Sequence, residues 1–426
     1  MKTLDQIAAE LQGYDPQALS ASAVNAFLDK LVSPVGDTET VGVFDALGRV
    51  LAEDVISPIS VPPHDNSAMD GFAFDGAQLH SGQPLTLRVL SGTAFAGKAW
   101  SGQVGPGECV KIMTGAIMPA GLDTVVPQEM THASDGTVSI PADALRRGDN
   151  RRLLGEDLMA GHPALRAGTK LGPAALGLIA SLGLPTVRVY RRLKVAYFST
   201  GDEILSLGEA PREGAVYDSN RYTVFGLLTR LGVEVIDMGV VKDDPTTLEM
   251  AFRAAAAQAD AIITSGGVSV GEADHTKAMM KKLGDVAFWR IAMRPGRPMA
   301  VGRLASGAVM FGLPGNPVAV MVTFLAFVRP ALLKLMGVAD VAAHTPPLLK
   351  ARSLEPMRKK PGRTEYQRGS VSTAPDGTLR VRTTGNQGSG VLSSMVQGNG
   401  LVVLHHGQGN VAVGDEVDVM VFDGVI

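Results

Sequence analysis

An apolar run ending at Ile263 leads straight into Thr264-Ser265-Gly266-Gly267-Val268-Ser269-Val270-Gly271-Glu272-Ala273-Asp274. Glycines there let backbone N–H groups face an anionic ligand, hydroxyls add donors, and the carboxylates of Glu272 and Asp274 suit a hard cation such as Mg²⁺ beside a phosphate. The run reads as a phosphate-and-metal loop. The alternative is a plain Gly/Ser turn, which seldom follows a buried strand while carrying two acids. A second apolar run, Val195 to Phe198, ends in Ser199-Thr200-Gly201-Asp202-Glu203, and a third, around Val233 to Val241, in Asp243-Asp244-Pro245. Asp244 before Pro245 is the usual N-cap and first-turn pair of a helix, which leaves Asp243 as the freer carboxylate. Glu203, Asp243 and Asp274 converge if the sheet order sets their strands side by side.

Cationic chemistry is concentrated in Arg290-Ile291-Ala292-Met293-Arg294-Pro295-Gly296-Arg297-Pro298, where prolines stiffen a loop that presents guanidinium groups. Arginine forks suit tetrahedral oxyanions, and Met299 to Val301 reads as a buried segment that fixes the loop. A solvated basic turn is the competing reading. Arg363, Arg368 and the hydroxyl-rich stretch Gly388 to Ser394 add to an anion site without any spacing that requires it. In Phe311-Gly312-Leu313-Pro314-Gly315-Asn316-Pro317, Asn316 is a plausible N-cap and Pro317 the first helical residue. A phosphate can rest on such a helix start, and a capped helix without a ligand fits equally well. Pro62 to Phe72 packs Asp65, Asn66, Ser67 and Asp70 between apolar segments, either as a site or as an Asx-turn connector. The eight histidines show no metal-ligand spacing.

The elements that must position these residues follow from hydrophobic period. Ser20 to Leu31 has Val24, Phe27, Leu28 and Leu31 on one side of a helix, and a second helical pattern precedes a β-like run from Arg49 to Ile56. From Pro58 to Asp149 the texture is short β-prone pieces such as Leu85 to Leu90 and Cys109 to Met113. Helical character returns from Pro173 to Leu182. Between Leu193 and Leu335, strands Val195 to Phe198, Val233 to Ile236, Ala261 to Ile263 and Ala308 to Phe311 alternate with helices Tyr222 to Leu231 and Pro245 to Ala257. That alternation predicts a parallel sheet with crossover helices, whose ligands sit at the carboxyl ends of the strands. Beyond Pro346 the pattern is β again: Pro375-Asp376-Gly377 marks a hairpin and Val417, Val419 and Val421 alternate with polar neighbours.

The expected architecture is therefore multidomain α/β plus β. A discontinuous N-terminal helical and linker domain spans 1–57 and 150–187, and a β domain is inserted at 58–149. An α/β domain occupies 188–336 and a C-terminal β-barrel-like domain 337–426. The 426 residues carry 39 Lys and Arg against 42 Asp and Glu, so nothing draws the chain as a whole to a nucleic-acid backbone. Its single cysteine, Cys109, excludes intramolecular disulfides and cysteine-rich zinc sites and fits a reducing, cytoplasmic setting. No secretory leader is read at the start, and the longest apolar segment, Val318 to Val328, falls short of a membrane span.

The runs Asp65 to Ala73 (DNSAMDGFA), Ile112 to Ala116 (IMTGA), Gly155 to Asp157 (GED), Ser199 to Glu203 (STGDE), Tyr217 to Asn220 (YDSN), Ser265 to Asp274 (SGGVSVGEAD) and Gly312 to Pro317 (GLPGNP) occur together and in order. In these the chain resembles the MoeA family of molybdopterin molybdenumtransferases, which also form the E domain of gephyrin, and the resemblance spans essentially the whole sequence. It implies a homodimer of four-subdomain chains with an α/β part like the MogA-type molybdopterin-binding fold. It implies an enzyme that takes adenylylated molybdopterin and molybdate as substrates, cleaves the phosphoanhydride with Mg²⁺, releases AMP and leaves molybdenum on the dithiolene.

Carried over by motif, the functional acids fall on Asp70, Glu203, Asp243 and Asp274, with Thr114 beside them, Asp243 and Asp274 for the metal and Asp70 reaching in from the other subunit. Ser199, Thr200, Gly201, Ser265, Gly266, Gly267, Ser269, Gly315 and Asn316 fall to the molybdopterin and nucleotide phosphates. Arg294, Arg297, Arg368 and Ser394, with Pro298 nearby, fall to molybdate. The family commonly has Lys where this chain has Arg290, Arg294 and Arg297, and a planar fork is bulkier than an ammonium. A MogA-type adenylyltransferase and maturation factors for molybdenum enzymes are the partners implied, with neither nucleic acid nor membrane. The competing functions are a gephyrin-like scaffold that binds protein segments and the adenylyltransferase that makes the substrate; the latter usually resembles only the α/β portion.

Overall fold

Along the strand Lys194–Thr200, Val195 and Tyr197 enter one core while Ala196 and Phe198 enter another. That is the two-residue period of a strand covered on both faces. The computed structural model describes residues 2–268, 275–422 and 424. Its contacts divide the chain into two units, one of Met1–Glu53, Ala167–Gly172 and Thr186–Ile426, the other of Asp54–Arg166 and Pro173–Pro185.

The first unit is built on a six-stranded sheet in the order Glu234–Val241, Lys194–Thr200, Ala261–Ser265, Val309–Leu313, Pro298–Leu304, Gly284–Arg290. The first four strands run parallel, as expected, and their ranges overlap the runs read from the sequence, two of which, Val233 to Ile236 and Ala308 to Phe311, begin one residue before the observed strand. The last two are antiparallel additions that the sequence reading did not separate from the arginine loop between them. Helices Ser219–Leu231 and Pro317–Thr323 bury apolar side chains on one face of the sheet, and Pro245–Gln258 and His275–Leu283 on the other. Asp244 caps Pro245–Gln258 by accepting from Thr247 N–H, as its place before proline predicts.

The helical run that starts at Pro317 continues to Leu335 through a π-helical stretch at Phe324–Val328. It is longer than the apolar segment read from the sequence, because Thr323 and Arg329 are accommodated within the helix. Its 19 residues meet the length and composition of a membrane span, yet 78% of that window is buried in the core of the unit.

At the N-terminus, helix Ala21–Leu31 forms with Ser20 as its cap and buries Val24, Phe27, Leu28 and Leu31, the stripe read from the sequence. Each such side chain contributes about 1.5–3 kcal/mol when removed from water. Phe27 meets Trp289 edge-on at 4.9 Å, and Trp289 Nε1–H donates to Tyr14, so this helix packs on the outer strand of the sheet. The second helical pattern, before Arg49, is corrected. Thr38–Gly42 is a strand paired with Thr186–Tyr190, followed by a short 3₁₀ turn at Val43–Ala46. Its partner lies far along the chain, so local periodicity carries no sign of the pairing. Strands Thr364–Thr373, Leu379–Thr383, Leu348–Ser353, Glu416–Val421 and Gly400–Leu404 close into a barrel, with the hairpin at Asp376 where it was expected.

The second unit holds another six-stranded sheet, which includes Gly71–Phe74, Leu85–Ala94 and Glu108–Ile112, with buried Ala73, Val110, Ile112 and Val125 on one side and Phe74, Leu87 and Cys109 on the other.

Candidate functional site

At the carboxyl edge of the parallel strands the polar residues are arranged by the strands beneath them. Lys194–Thr200 pairs with Glu234–Val241 on one side and Ala261–Ser265 on the other, so the loops bearing Glu203, Asp243 and Gly266 emerge side by side. Tyr197, Ser199 and Ser265 form a buried hydroxyl cluster under this edge: the tyrosine oxygen is 2.7 Å from Ser265 Oγ and 2.9 Å from Ser199 Oγ. Burial pushes the Tyr197 phenol well above its ordinary value, so the cluster is neutral and anchors the strand ends without adding charge. Gly266 has φ +87°, and a Cβ there would stand 2.3 Å from the Thr200 carbonyl oxygen. Only glycine lets the loop turn so tightly over the neighbouring strand.

Two adjoining clefts open on this edge. One, of about 600 Å³, is lined by Ser199, Thr200, Glu203, Asp218, Ser265 and Asn316 among others. The second, of about 680 Å³, is lined by Glu203, Gly266, Gly267, Arg294, Arg297, Pro298, Gly315, Asn316 and Arg363. Glu203, Gly266, Gly315 and Asn316 belong to both. Arg294 and Arg297 are exposed and have no ion-pair partner among the described residues, so their charge is offered to the cleft. Arg363 is held by the buried carboxylate of Glu365 at 2.7 Å. The loop carrying the two exposed arginines turns at Gly296, whose φ is +92° and whose Cα faces the buried Thr323 of the core helix.

Behind the loop lies a smaller pocket, of about 270 Å³, shared by Arg294 and Arg368. Arg368 is buried, and its guanidinium donates to Ser394 Oγ at 2.9 Å and to the carbonyls of Gly388 and Asn386. No carboxylate pairs with it among the described residues. Burial, with the neighbouring charge of Arg294, pushes its pKa down to about 10. Ser394 donates in turn to Val391 O, so its hydroxyl is engaged on both sides.

Asp243 sits at the rim rather than on the cleft walls: its Oδ1 accepts from the buried Thr276 hydroxyl at 3.2 Å, and its backbone N–H points to Asp202 Oδ1 at 3.4 Å. Asn316 occupies the N-cap position but makes no capping hydrogen bond, and Val318 N–H in the first turn is taken by Ser389 O. The helix start thus offers fewer free donors than its sequence implies. Ser269, Glu272 and Asp274 lie outside the described residues. Asp70 and Thr114 belong to the second unit, where Asp70 Oδ1 accepts from both the N–H and the hydroxyl of Thr114 at 2.7 Å. Those two donors hold the Asp70 carboxyl below the usual carboxylate range.

Asp202, Asp218 and Thr276 were not assigned from sequence. The signals were present in part: Asp218 heads Asp-Ser-Asn before a helix and caps it, accepting from Arg221 N–H at 3.0 Å. Nothing in the spacing marked Thr276, which depends on the fold.

Three family models match the chain: the MoeA N-terminal region (domain I and II) over residues 19–183, a "probable molybdopterin binding domain" over 196–334, and the MoeA C-terminal region (domain IV) over 350–422. The chain is 43% identical over 405 residues to a protein of Haemophilus influenzae named molybdopterin molybdenumtransferase, covering 95% of this chain and 98% of that one. It is 38% identical over 391 residues to one of the same name from Nostoc, covering 90% and 88%. Among solved structures it resembles the molybdopterin biosynthesis MoeA protein of Pyrococcus horikoshii with a TM-score of 0.79 and 27% identity, covering 95% of this chain and all of that one.

Proposed function

Because the chain belongs to the MoeA family of molybdopterin molybdenumtransferases, we propose that it joins molybdate to adenylylated molybdopterin at the edge where Glu203, Arg294 and Arg297 share a cleft. It is a transferase of molybdenum that acts in molybdenum cofactor biosynthesis. The observation that carries the mechanistic reading is that cleft: Arg294 and Arg297, without ion-pair partners among the described residues, line it together with the glycines Gly266, Gly267 and Gly315 and the carboxylate of Glu203.

The reaction cleaves the phosphoanhydride with water, the bridging oxygen leaving with one phosphate as AMP departs, and the enedithiol sulfurs replace oxygen on molybdenum, the displaced oxygen leaving as water with the thiol protons. Arg294 and Arg297 bind the molybdate dianion by charge and forked hydrogen bonds, and Arg368 adds a buried positive field that Ser394 keeps oriented. Glu203, between the two clefts, orients the attacking water. The phosphates lie against Gly266, Gly267 and Gly315 in the arginine cleft.

Mg²⁺ takes hard oxygen ligands, which the carboxylates of Asp202, Glu203 and Asp243 supply in kind on one rim. No group of three metal-ligating side chains lies within metal reach among the described residues. Asp243, together with Asp274, would hold the ion, which neutralises phosphate charge when bound. In the same reading the protein works as a cytoplasmic homodimer in which Asp70, fixed by Thr114, reaches the site of the partner subunit.

The test is AMP release from adenylylated molybdopterin with molybdate and Mg²⁺. Wild type releases AMP in proportion to active cofactor formed, and Asp243→Asn loses Mg²⁺-stimulated release while binding molybdate normally. Release that ignores molybdate would defeat the assignment.

A further inference from the structure

Three side-chain oxygens at the first cleft have no hydrogen-bond partner among the described residues: Asp218 Oδ2, Asn220 Oδ1 and Thr200 Oγ1. Asp218 is 4% exposed, Asn220 8% and Thr200 4%, and all three residues line the same 600 Å³ cleft. Their other polar atoms are committed. Asp218 Oδ1 caps helix Ser219–Leu231, and Asn220 Nδ2 donates to Gly315 O at 2.7 Å, which leaves one oxygen of each side chain without a partner among the described residues. Buried acceptors left unmet are costly, and they cluster here at one place. Ile204, Val216, Tyr217 and Leu392 supply apolar walls to the same space.

Such a slot rejects phosphate, because a carboxylate faces it, and accepts a flat ring that brings two adjacent N–H donors. Resting on the transferase reading above, we propose that this cleft reads the 2-amino-4-oxopyrimidine edge of the pterin, with Asp218 Oδ2 and Asn220 Oδ1 taking its amino and ring N–H groups after a small side-chain rotation. The phosphate end of the substrate then lies in the adjoining arginine cleft, across the shared Glu203, Gly266, Gly315 and Asn316. Adenine does not fit the slot, since its edge sets an acceptor nitrogen beside its amino group.

The experiment uses the full chain and neopterin, a fluorescent 2-amino-4-oxopteridine without phosphate, with guanosine and adenosine as competitors. Asn and Ser both cap helices, so Asp218→Asn and Asp218→Ser keep the helix start while removing the ionised acceptor. Wild type binds neopterin, guanosine displaces it, adenosine does not, and both variants weaken binding by about tenfold or more with unchanged thermal melts. The proposal is overturned by wild type that does not bind neopterin, by variants that bind within about twofold of wild type, by displacement with adenosine, or by tighter binding of guanosine than of the pterin. AMP release measured on the same preparations separates the two readings. Neopterin binding through Asp218 without molybdate-dependent AMP release keeps the slot and removes the transferase mechanism; AMP release with neopterin binding indifferent to Asp218 removes the slot alone.

Discussion

Arg368 donates its Nε–H to Ser394 Oγ at 2.9 Å deep in the first unit, and its only other side-chain acceptors among the described residues are two backbone carbonyls. A buried guanidinium without a counter-ion is destabilising until an anion approaches it. Molybdate binding is therefore expected to stabilise the fold, by about 2.7 kcal/mol at a hundredfold excess over Kd. In Arg368→Met the thermal shift on adding molybdate falls to a small fraction of the wild-type shift. A full shift in the variant would mean that the anion is held elsewhere.

The same residue sets a pH dependence. Its folded pKa, about 10, lies below its unfolded value, so the unfolded chain holds the proton more tightly. Its charge costs stability below about pH 10, and that cost fades as pH rises from there toward the unfolded value. Anion binding has the opposite need, because the positive charge must be present. Molybdate affinity is expected to fall as pH rises through about 10, by up to about tenfold per unit, and Arg368→Met is expected to lack that dependence. Titration calorimetry on both proteins across this range measures it.

Gly296 offers a mechanical test of the arginine loop. At φ +92° a side chain is strained, and a Cβ would stand 2.4 Å from Thr323 Oγ1, which is buried without a hydrogen-bond partner among the described residues. Gly296→Ala is expected to cost about 1–3 kcal/mol and to raise the molybdate requirement by displacing Arg294 and Arg297. Adding Thr323→Ala removes the collision but leaves the backbone strain, so the double variant recovers part of both losses. Denaturant melts and the molybdate dependence of AMP release report the two effects separately.

The parallel strands were legible because each is a short apolar run that gives way to polar residues, glycine or proline, and Asp244 before Pro245 marked a helix start by its capping chemistry. Adjacency of the loops at Glu203 and Asp243 was not legible, since strand order is decided by packing. The strand Thr38–Gly42 was missed for the same reason, its pairing with Thr186–Tyr190 being long-range. The antiparallel pair Gly284–Arg290 and Pro298–Leu304 was hidden by the polar loop it flanks. Among the site residues, motif matching singled out Arg368, but its carbonyl partners and its lack of a counter-ion among the described residues appear only in three dimensions. Asp218 lay within a quoted motif, where its capping role concealed the second, unmet oxygen.

Asp70 and Thr114 give a test within the second unit. Two donors from one residue hold the Asp70 carboxyl below the usual range, so its contribution to stability is present above the unfolded pKa and lost as pH falls through the lower folded value. Thr114→Val removes the hydroxyl and keeps the N–H, so the Asp70 midpoint is expected to rise part of the way toward that of a free carboxylate. The residue is only partly buried, so the melting temperature should barely move. Activity should respond more strongly, since a carboxylate with one fewer donor is free to rotate: AMP release is expected to fall by about tenfold or more, with Thr114→Ser restoring both rate and midpoint. Carboxyl-carbon titration by NMR and AMP release on the same variants decide the matter. A midpoint that rises without loss of rate would show that Asp70 is oriented for stability alone.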